Sequence, residues 1–163
     1  MSDSNGTPPT TPTKPFSARQ VAIGRPVVKL MSKLNVWLYR RTGGRIGGKF
    51  KGGAPVCILT TTGRKSGQSR PRPLLYLLDG ADVILVASQA GMPKHPEWYL
   101  NLLANPAVSI TVGKQTRSYT ATTVDDDDRA ALWPRLVQMY PDYNDYQQRT
   151  SRKIPVVRCT PSD

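Results

Sequence analysis

The densest group of reactive side chains in this 163-residue sequence lies at residues 60–73, from Thr60 through Pro73. Arg64, Lys65, Arg70 and Arg72 crowd four cations around one short turn, bracketed by Gly63 and Gly67 and fringed by the hydroxyls of Thr60, Thr61, Thr62, Ser66 and Ser69. Glycine lets backbone N–H groups approach an anion closely, arginine offers a bidentate fork and lysine a point charge. The chemistry such a turn suits is recognition of a phosphate or a polycarboxylate. A hairpin tip kept soluble by its charge is the other reading of the same residues.

Two aromatic groups follow. Trp133, Tyr140, Tyr143 and Tyr146 stand near the C-terminus, and the spacing of three puts the tyrosines on neighbouring helical faces. They suit either ordinary core packing or one wall of a site that stacks on a flat ring and donates hydrogen bonds from the phenol tips. Pro96 to Leu102 forms a short amphipathic segment containing Glu97, Trp98, Tyr99, Leu100 and Asn101, able to cover a core or a pocket.

Other chemistries lack their residues. His95 is the one histidine, so a multi-histidine metal site is excluded. The acids Asp125 to Asp128 open a helix, where they satisfy free N–H groups and oppose the helix dipole, which accounts for them without a metal. Cys57 and Cys159 have apolar neighbours and read as buried free thiols. Neither a dinucleotide-type nor a Walker-type glycine motif occurs. Without a nucleophile or metal cage, catalysis would require a cofactor.

Charge is unevenly spread. Residues 1–72 hold 14 Lys/Arg and one acid, residues 73–163 hold 9 Lys/Arg and 10 acids, and the net +12 therefore resides in the front half. This points to an anionic partner: nucleic acid, a membrane surface or a phosphate-bearing ligand. No apolar run approaches the roughly 20 residues of a membrane span. The start of the chain lacks the apolar core of a secretory signal, so a cytoplasmic location is expected, peripheral at the inner face of the membrane if the front half meets lipid.

These groups need elements to position them. Residues 1–24 are rich in Ser, Thr and Pro and read as a disordered tail; residues 25–163 read as one domain. Val27, Leu30, Met31, Leu34, Trp37 and Leu38 recur at helical spacing among Lys29, Lys33 and Arg40, predicting a basic amphipathic helix over about 26–41 that ends at Thr42-Gly43-Gly44. Its apolar face suits core packing or, with Trp37 and Tyr39 interfacial, anionic lipid. The Gly-rich residues 45–53 read as loop. Strands are expected at 56–62, 68–78, 83–88, 108–112, 117–124 and 154–159, with helices at 96–104 and 125–140 and a short one carrying Tyr143 and Tyr146. Antiparallel strands with a few packing helices describe an α+β, barrel-like domain.

In their order and spacing, the Thr-Thr-Thr-Gly-Arg-Lys-Ser-Gly turn, the Trp-Tyr-Leu-Asn-Leu-x-Ala-Asn-Pro run at 98–106 and the Trp-Pro…Met-Tyr-Pro-x-Tyr-x-x-Tyr run at 133–146 resemble the deazaflavin-dependent nitroreductase family, the F420H2-dependent reductases of mycobacteria and relatives. The resemblance implies a split β-barrel of FMN-binding type that holds coenzyme F420 non-covalently. It further implies passage of a hydride from the reduced deazaflavin to a quinone, an enone or an activated nitroaromatic. Carried over by motif, Arg64, Lys65 and Ser66 would bind the phosphate and glutamate tail. Arg70, Pro71, Arg72, Pro73, Leu74 and Leu75 would run along the cofactor, and Val86, Ala87, Ser88 and Gln89 would border the ring. Glu97, Trp98, Tyr99, Leu100, Asn101 and Tyr143 would complete the site, with Ser88, Tyr140, Tyr143 and Tyr146 facing the acceptor. Leu75 and Gln89 depart from the tyrosine and lysine common in nitroreductase-type members. A carrier that holds F420 without turnover and a basic nucleic-acid-binding module are the rival readings. The latter is disfavoured because residues 51–72 contain no aromatic side chain to stack on bases.

Overall fold

The computed structural model describes residues 33–162. The expected tail at 1–24 and the start of the expected 26–41 helix lie outside the described residues.

The β-branched and aliphatic runs form six antiparallel strands among the described residues: β1 (Val56–Thr62), β2 (Ser69–Asp79), β3 (Asp82–Val86), β4 (Ala107–Val112), β5 (Gln115–Thr123) and β6 (Val156–Pro161). They are ordered β1-β2-β3-β6-β5-β4, and β4 pairs back to β1, closing a barrel that leaves no free edge. Alternation fills the inside with Cys57, Leu59, Val83, Leu85, Ile110, Tyr119, Ala121, Val157 and Cys159. Helix α2 (Glu97–Ala104) adds Trp98, Tyr99 and Leu102 to that core, stopping at Asn105, which is extended ahead of Pro106. On the outer face, Ile84, Val86 and Val156 meet Leu132, Leu136, Tyr140 and Tyr143 of α3 (Asp126–Met139), its C-cap and α4 (Asp142–Gln148). Asp125 caps α3 by accepting from the Asp128 N–H at 2.9 Å.

Three expectations are corrected. Residues 33–42 are helical (α1), but the face turned to the barrel carries Val36 and Tyr39, not Leu34 and Trp37, which are 56% and 55% exposed. The reason is polar: the Tyr39 hydroxyl donates to the Val56 carbonyl at 3.0 Å and accepts from the Gly113 N–H at 2.8 Å, so it pins α1 by two bonds that Trp37 could not make. Strand β3 stops at Val86 rather than Ser88, because the chain turns left-handed at Gln89 and Ala90 (φ 45° and 53°). Strand β6 begins at Val156 rather than Ile154. Pro155 has no N–H for a ladder, and Ile154 bonds side chains instead, its N–H to Gln147 Oε1 and its carbonyl to Arg129 Nε. Both cysteines are free and fully buried. No helix among the described residues is long and apolar enough to cross a membrane.

Candidate cofactor and acceptor site

The cationic turn between β1 and β2 is tightly built. The Gly63 N–H donates to the Gln68 carbonyl at 2.8 Å and the Gly67 N–H to the Gly63 carbonyl at 2.7 Å. Gly67 has φ +64°, and a Cβ on Gly63 would come within 2.7 Å of Ser66 Oγ. Ser66 Oγ in turn accepts from the Gln68 N–H at 3.3 Å and from Arg70 Nη2 at 3.1 Å. Asn101, only 5% exposed, ties the turn to α2: its Oδ1 accepts from the Arg64 N–H at 3.1 Å and from Arg64 Nη1 at 3.3 Å, and its Nδ2 donates to Thr61 Oγ1 at 3.2 Å. Glu97, 73% exposed, holds Arg64 Nη1 at 2.6 Å. An anion reaching Arg64 therefore competes with a largely solvated carboxylate. A groove of about 470 Å³ opens beside the turn, lined by hydroxyls that include Thr62, Ser109 and Ser118.

Strand β2 leads away from this turn. None of its residues is fully buried, unlike β1 and β3 on either side, so it presents a half-open wall. Pro71, Pro73, Leu75 and Leu77 share the outer face, while Arg70, Arg72, Leu74 and Tyr76 share the inner one. Leu75 packs against the group containing Val86, Tyr140 and Tyr143. From Arg70 to Leu75 the strand covers about 17 Å at 3.4 Å per residue.

In the group that holds Leu75, partway along β2, the tyrosines meet. Tyr140 lies 5.1 Å from Tyr143 and 6.1 Å from Tyr146 between ring centres, and the Tyr140 and Tyr146 hydroxyls are 3.0 Å apart. The Tyr140 hydroxyl donates to Asp142 Oδ2 at 3.0 Å. Burial first, then the Tyr146 hydroxyl and the Asp142 carboxylate, push the Tyr140 phenol well above its ordinary range; burial and Tyr146 do the same to Tyr143. Both phenols are thus protonated at physiological pH. Tyr146 is the half-open member; Tyr140 and Tyr143 are 5% and 3% exposed.

The segment 86–92 is seated beside them. Val86 and Ala87 are buried; Ser88 and Gln89 are half-buried at the surface of the loop. Gln89 and Ala90 hold left-handed conformations that cost residues bearing a Cβ about 1–3 kcal/mol each. Gly91, φ +75°, lies so close to α4 that a Cβ there would sit 2.5 Å from the Tyr146 carbonyl oxygen.

Of the remaining residues singled out in the sequence, Leu100 is half-buried, whereas the Trp98 and Tyr99 rings are taken up by the barrel core, 7% exposed each. Four residues at this site carried no sequence signal. Phe50, 54% exposed, brings its ring 5.9 Å from that of Tyr140, and Lys51 Nζ lies 3.5 Å from Asp142 Oδ2. Both sit in a loop whose glycines mask any periodicity. Asp142 follows Pro141 as an unremarkable helix start. Arg152 grips the 87–92 loop by its carbonyls; it stands in a polar run that reads as surface.

A sequence profile of the F420H2-dependent quinone reductases matches residues 31–161. The chain belongs to that family. An F420H2-dependent quinone reductase of Mycobacterium tuberculosis is 44% identical over 131 residues, covering 78% of this chain and 88% of the relative. The solved structure of an F420-H2 dependent reductase, FDR-A, is 40% identical, with a TM-score of 0.60 over 64% of this chain and 93% of its own. The heme storage protein HutZ of Vibrio cholerae, 17% identical, shares the fold with a TM-score of 0.51. The expected split β-barrel and α+β class are therefore borne out. So is the expected cofactor: the F420H2-dependent quinone reductase family uses reduced F420 and its named members are oxidoreductases.

The residues present fit that group. Its tail carries a phosphodiester and carboxylates, and the preorganised cationic, hydroxyl-bearing turn supplies donors of matching kind. Its ring is flat, and farther along the half-open β2 lie Leu75, the 86–89 segment and the phenols.

Proposed function

We propose that this chain lays coenzyme F420 along β2, tail at the cationic turn and ring at the tyrosine end, and reduces a quinone or other conjugated carbonyl there. The observation that carries this reading is the pairing of a rigid cationic turn at the start of half-exposed β2 with a phenol cluster packed in the group of Leu75, farther along the same strand. When bound in reduced form, the coenzyme supplies the hydride. The protein's work is placement. Arg64, Lys65 and Ser66 hold the tail, Arg70 to Leu75 line its course, and Val86 to Gln89 border the ring. Glu97 and Asn101 keep Arg64 aimed, while Trp98 and Tyr99 anchor α2 in the core and half-buried Leu100 completes that side of the site. Ser88 offers a hydroxyl donor to the acceptor oxygen as it gains charge, and Tyr146, whose O–H is given to Tyr140 here, would supply a second on turning toward the acceptor, with Tyr140 and Tyr143 behind it. With Leu75 and Gln89 at the ring border, quinones and enones suit the site better than nitroimidazoles.

Titration with F420 and single-turnover oxidation of its reduced form by menadione test this directly. Saturable binding that Arg64→Ala with Lys65→Ala abolishes, followed by menadione-dependent turnover, is expected. Binding without turnover would make the protein a carrier. The absence of saturable binding would overturn the reading.

The partner at the front half is, on this reading, an anionic bilayer. Leu34, Trp37, Ile46 and Phe50 are each more than half exposed beside Lys33, Arg40, Arg41, Arg45, Lys49 and Lys51, and Arg41 lies over the Trp37 ring at 5.7 Å. Apolar side chains interleaved with cations suit an anionic interface, where each cation contributes about 1 kcal/mol. Phe50 would connect that interface to the tyrosines. Phosphatidylglycerol vesicles should co-sediment the protein at low salt and release it at high salt, and Trp37→Glu with Phe50→Glu should abolish this. Indifference to such vesicles at low salt would exclude the bilayer as partner.

A further inference from the structure

Arg152 makes an unusual use of its guanidinium. Leaving α4, the chain passes Arg152 on its way into β6, and the side chain turns back under the loop that follows β3. Nε donates to the Met92 carbonyl at 2.9 Å, Nη2 to the Ser88 carbonyl at 2.8 Å and Nη1 to the Ala87 carbonyl at 3.2 Å; Nη1 also lies 3.3 Å from His95 Nδ1. One planar fork therefore binds the loop on both sides of its left-handed residues, Gln89 and Ala90. The loop's own bonds are few: Gly91 N–H to Ser88 O at 3.0 Å and Met92 N–H to Gln89 O at 3.1 Å, with the Ala87 N–H reaching Pro155 O at 2.9 Å. Its outer flank is wedged against α4 at Gly91.

We propose that Arg152 is a positioning residue for hydride transfer: it fixes the height and tilt of the Ser88–Gln89 edge, on which the ring rests in the reading given above. It does so through backbone carbonyls, without touching cofactor or acceptor. This rests on that reading for the ring's location, but not for the tie between Arg152 and the loop. A tie of this kind has a distinct signature. The tail is held some strand-length away at Arg64 to Ser66, so removing Arg152 leaves tail binding nearly intact and impairs transfer, which is steep in placement. A lysine in its place reaches one or two of the carbonyls with a point charge and does not reproduce the fork.

The experiment compares wild type, Arg152→Met, Arg152→Lys and Arg158→Met. The last removes the ion pairs of Arg158 with Asp79 and Asp82 on the far side of the β2–β3 hairpin and serves as a purely structural loss. Amide exchange at Gly91 and Met92, measured without cofactor, should accelerate on the order of tenfold or more in both Arg152 variants and stay unchanged in Arg158→Met. With saturating reduced F420, the single-turnover rate should fall on the order of tenfold to a hundredfold in Arg152→Met, while F420 affinity changes by no more than about threefold. Added guanidinium ion should recover part of that rate in Arg152→Met and none in Arg158→Met. Unchanged exchange, or a rate loss that merely tracks the unfolded fraction in both arginine variants, would overturn the proposal. Accelerated exchange with an unaltered transfer rate would overturn the catalytic part of it. Failure of the wild type to bind F420 would instead show in the first titration and strike the parent reading, leaving the exchange result to decide whether Arg152 ties the loop.

Discussion

The backbone N–H of Arg64 donates to the side-chain oxygen of Asn101 at 3.1 Å, so the cationic turn of the barrel is suspended from the helix that plugs it. Asn101 also donates to Thr61 Oγ1 in the buried interior, which makes one amide the joint between a strand, a turn and a helix.

Replacing Asn101 by leucine should strand the Thr61 hydroxyl and the Arg64 N–H without partners. Buried polar groups left unpaired cost about 1–3 kcal/mol, and at roughly 2–4 °C per kcal/mol for a chain of this size a drop of several degrees in melting temperature is expected. The F420 dissociation constant should rise at the same time, since the turn loses its preorganisation. Calorimetry and a fluorescence titration on the same preparation check both.

Gly91→Ala should be far more damaging than a usual glycine-to-alanine change on a surface loop. The position is left-handed, and the new methyl would meet the Tyr146 carbonyl oxygen at 2.5 Å. The strain alone is about 1 kcal/mol or more, and the clash separates the 88–91 loop from α4. Reduced thermal stability together with a slower hydride-transfer step is expected; a stable, fully active variant would show that the loop and α4 need not touch.

Alkaline pH should leave the phenol cluster intact until high values. Tyr140 and Tyr143 are held above their ordinary pKa chiefly by burial, so the folded state keeps their protons more tightly than the unfolded chain does. The stability this contributes is fully present below the unfolded value of about 10 and declines only as pH rises beyond it. Denaturant midpoints measured between pH 8 and 11 should fall in the upper part of that range, with the fall reduced in Tyr140→Phe.

Acid acts on His95. Burial and then the neighbouring Arg152 guanidinium lower its pKa, so protons bind more readily to the unfolded chain. The associated stability is present above the unfolded value of about 6.5 and is lost as pH falls through the lower folded value. A decline between pH 7 and 5 that His95→Gln lacks is expected. Asp79 and Asp126, held below the usual carboxylate range by Arg135 and Arg158 and by Lys153 respectively, account for a separate loss at still lower pH.

How far the sequence foretells these arrangements depends on how local the deciding interaction is. Strand β1 and the Gly63–Gly67 turn are written in adjacent residues: β-branched side chains followed by glycines at a fixed offset. The same holds for α3, whose aspartates announce its start and whose end is set by Pro141. The orientation of α1 is not local. Leu34 and Trp37 form the more obvious apolar stripe, and only the carbonyl of Val56 and the amide of Gly113, distant in the chain, make Tyr39 the inward residue. Ile154 follows the same logic, since its hydrogen bonds come from side chains of α3 and α4. At the site, the cations and tyrosines are visible as types, whereas Arg152, Asp142 and Phe50 matter through what they touch across the fold.

The sealed barrel interior has a chemical corollary. Quinones are soft electrophiles that alkylate thiolates, and a quinone reductase risks inactivation by its own acceptor. Here Cys57 and Cys159 are the only sulfhydryls in the chain, both without any solvent contact. Burial drives both toward the protonated form, Cys159 up to about 12, so scarcely any nucleophilic sulfur exists to be attacked. Closure of the strands thus shields both sulfurs from Michael addition, and they should stay unalkylated during prolonged exposure to quinone for as long as the protein remains folded.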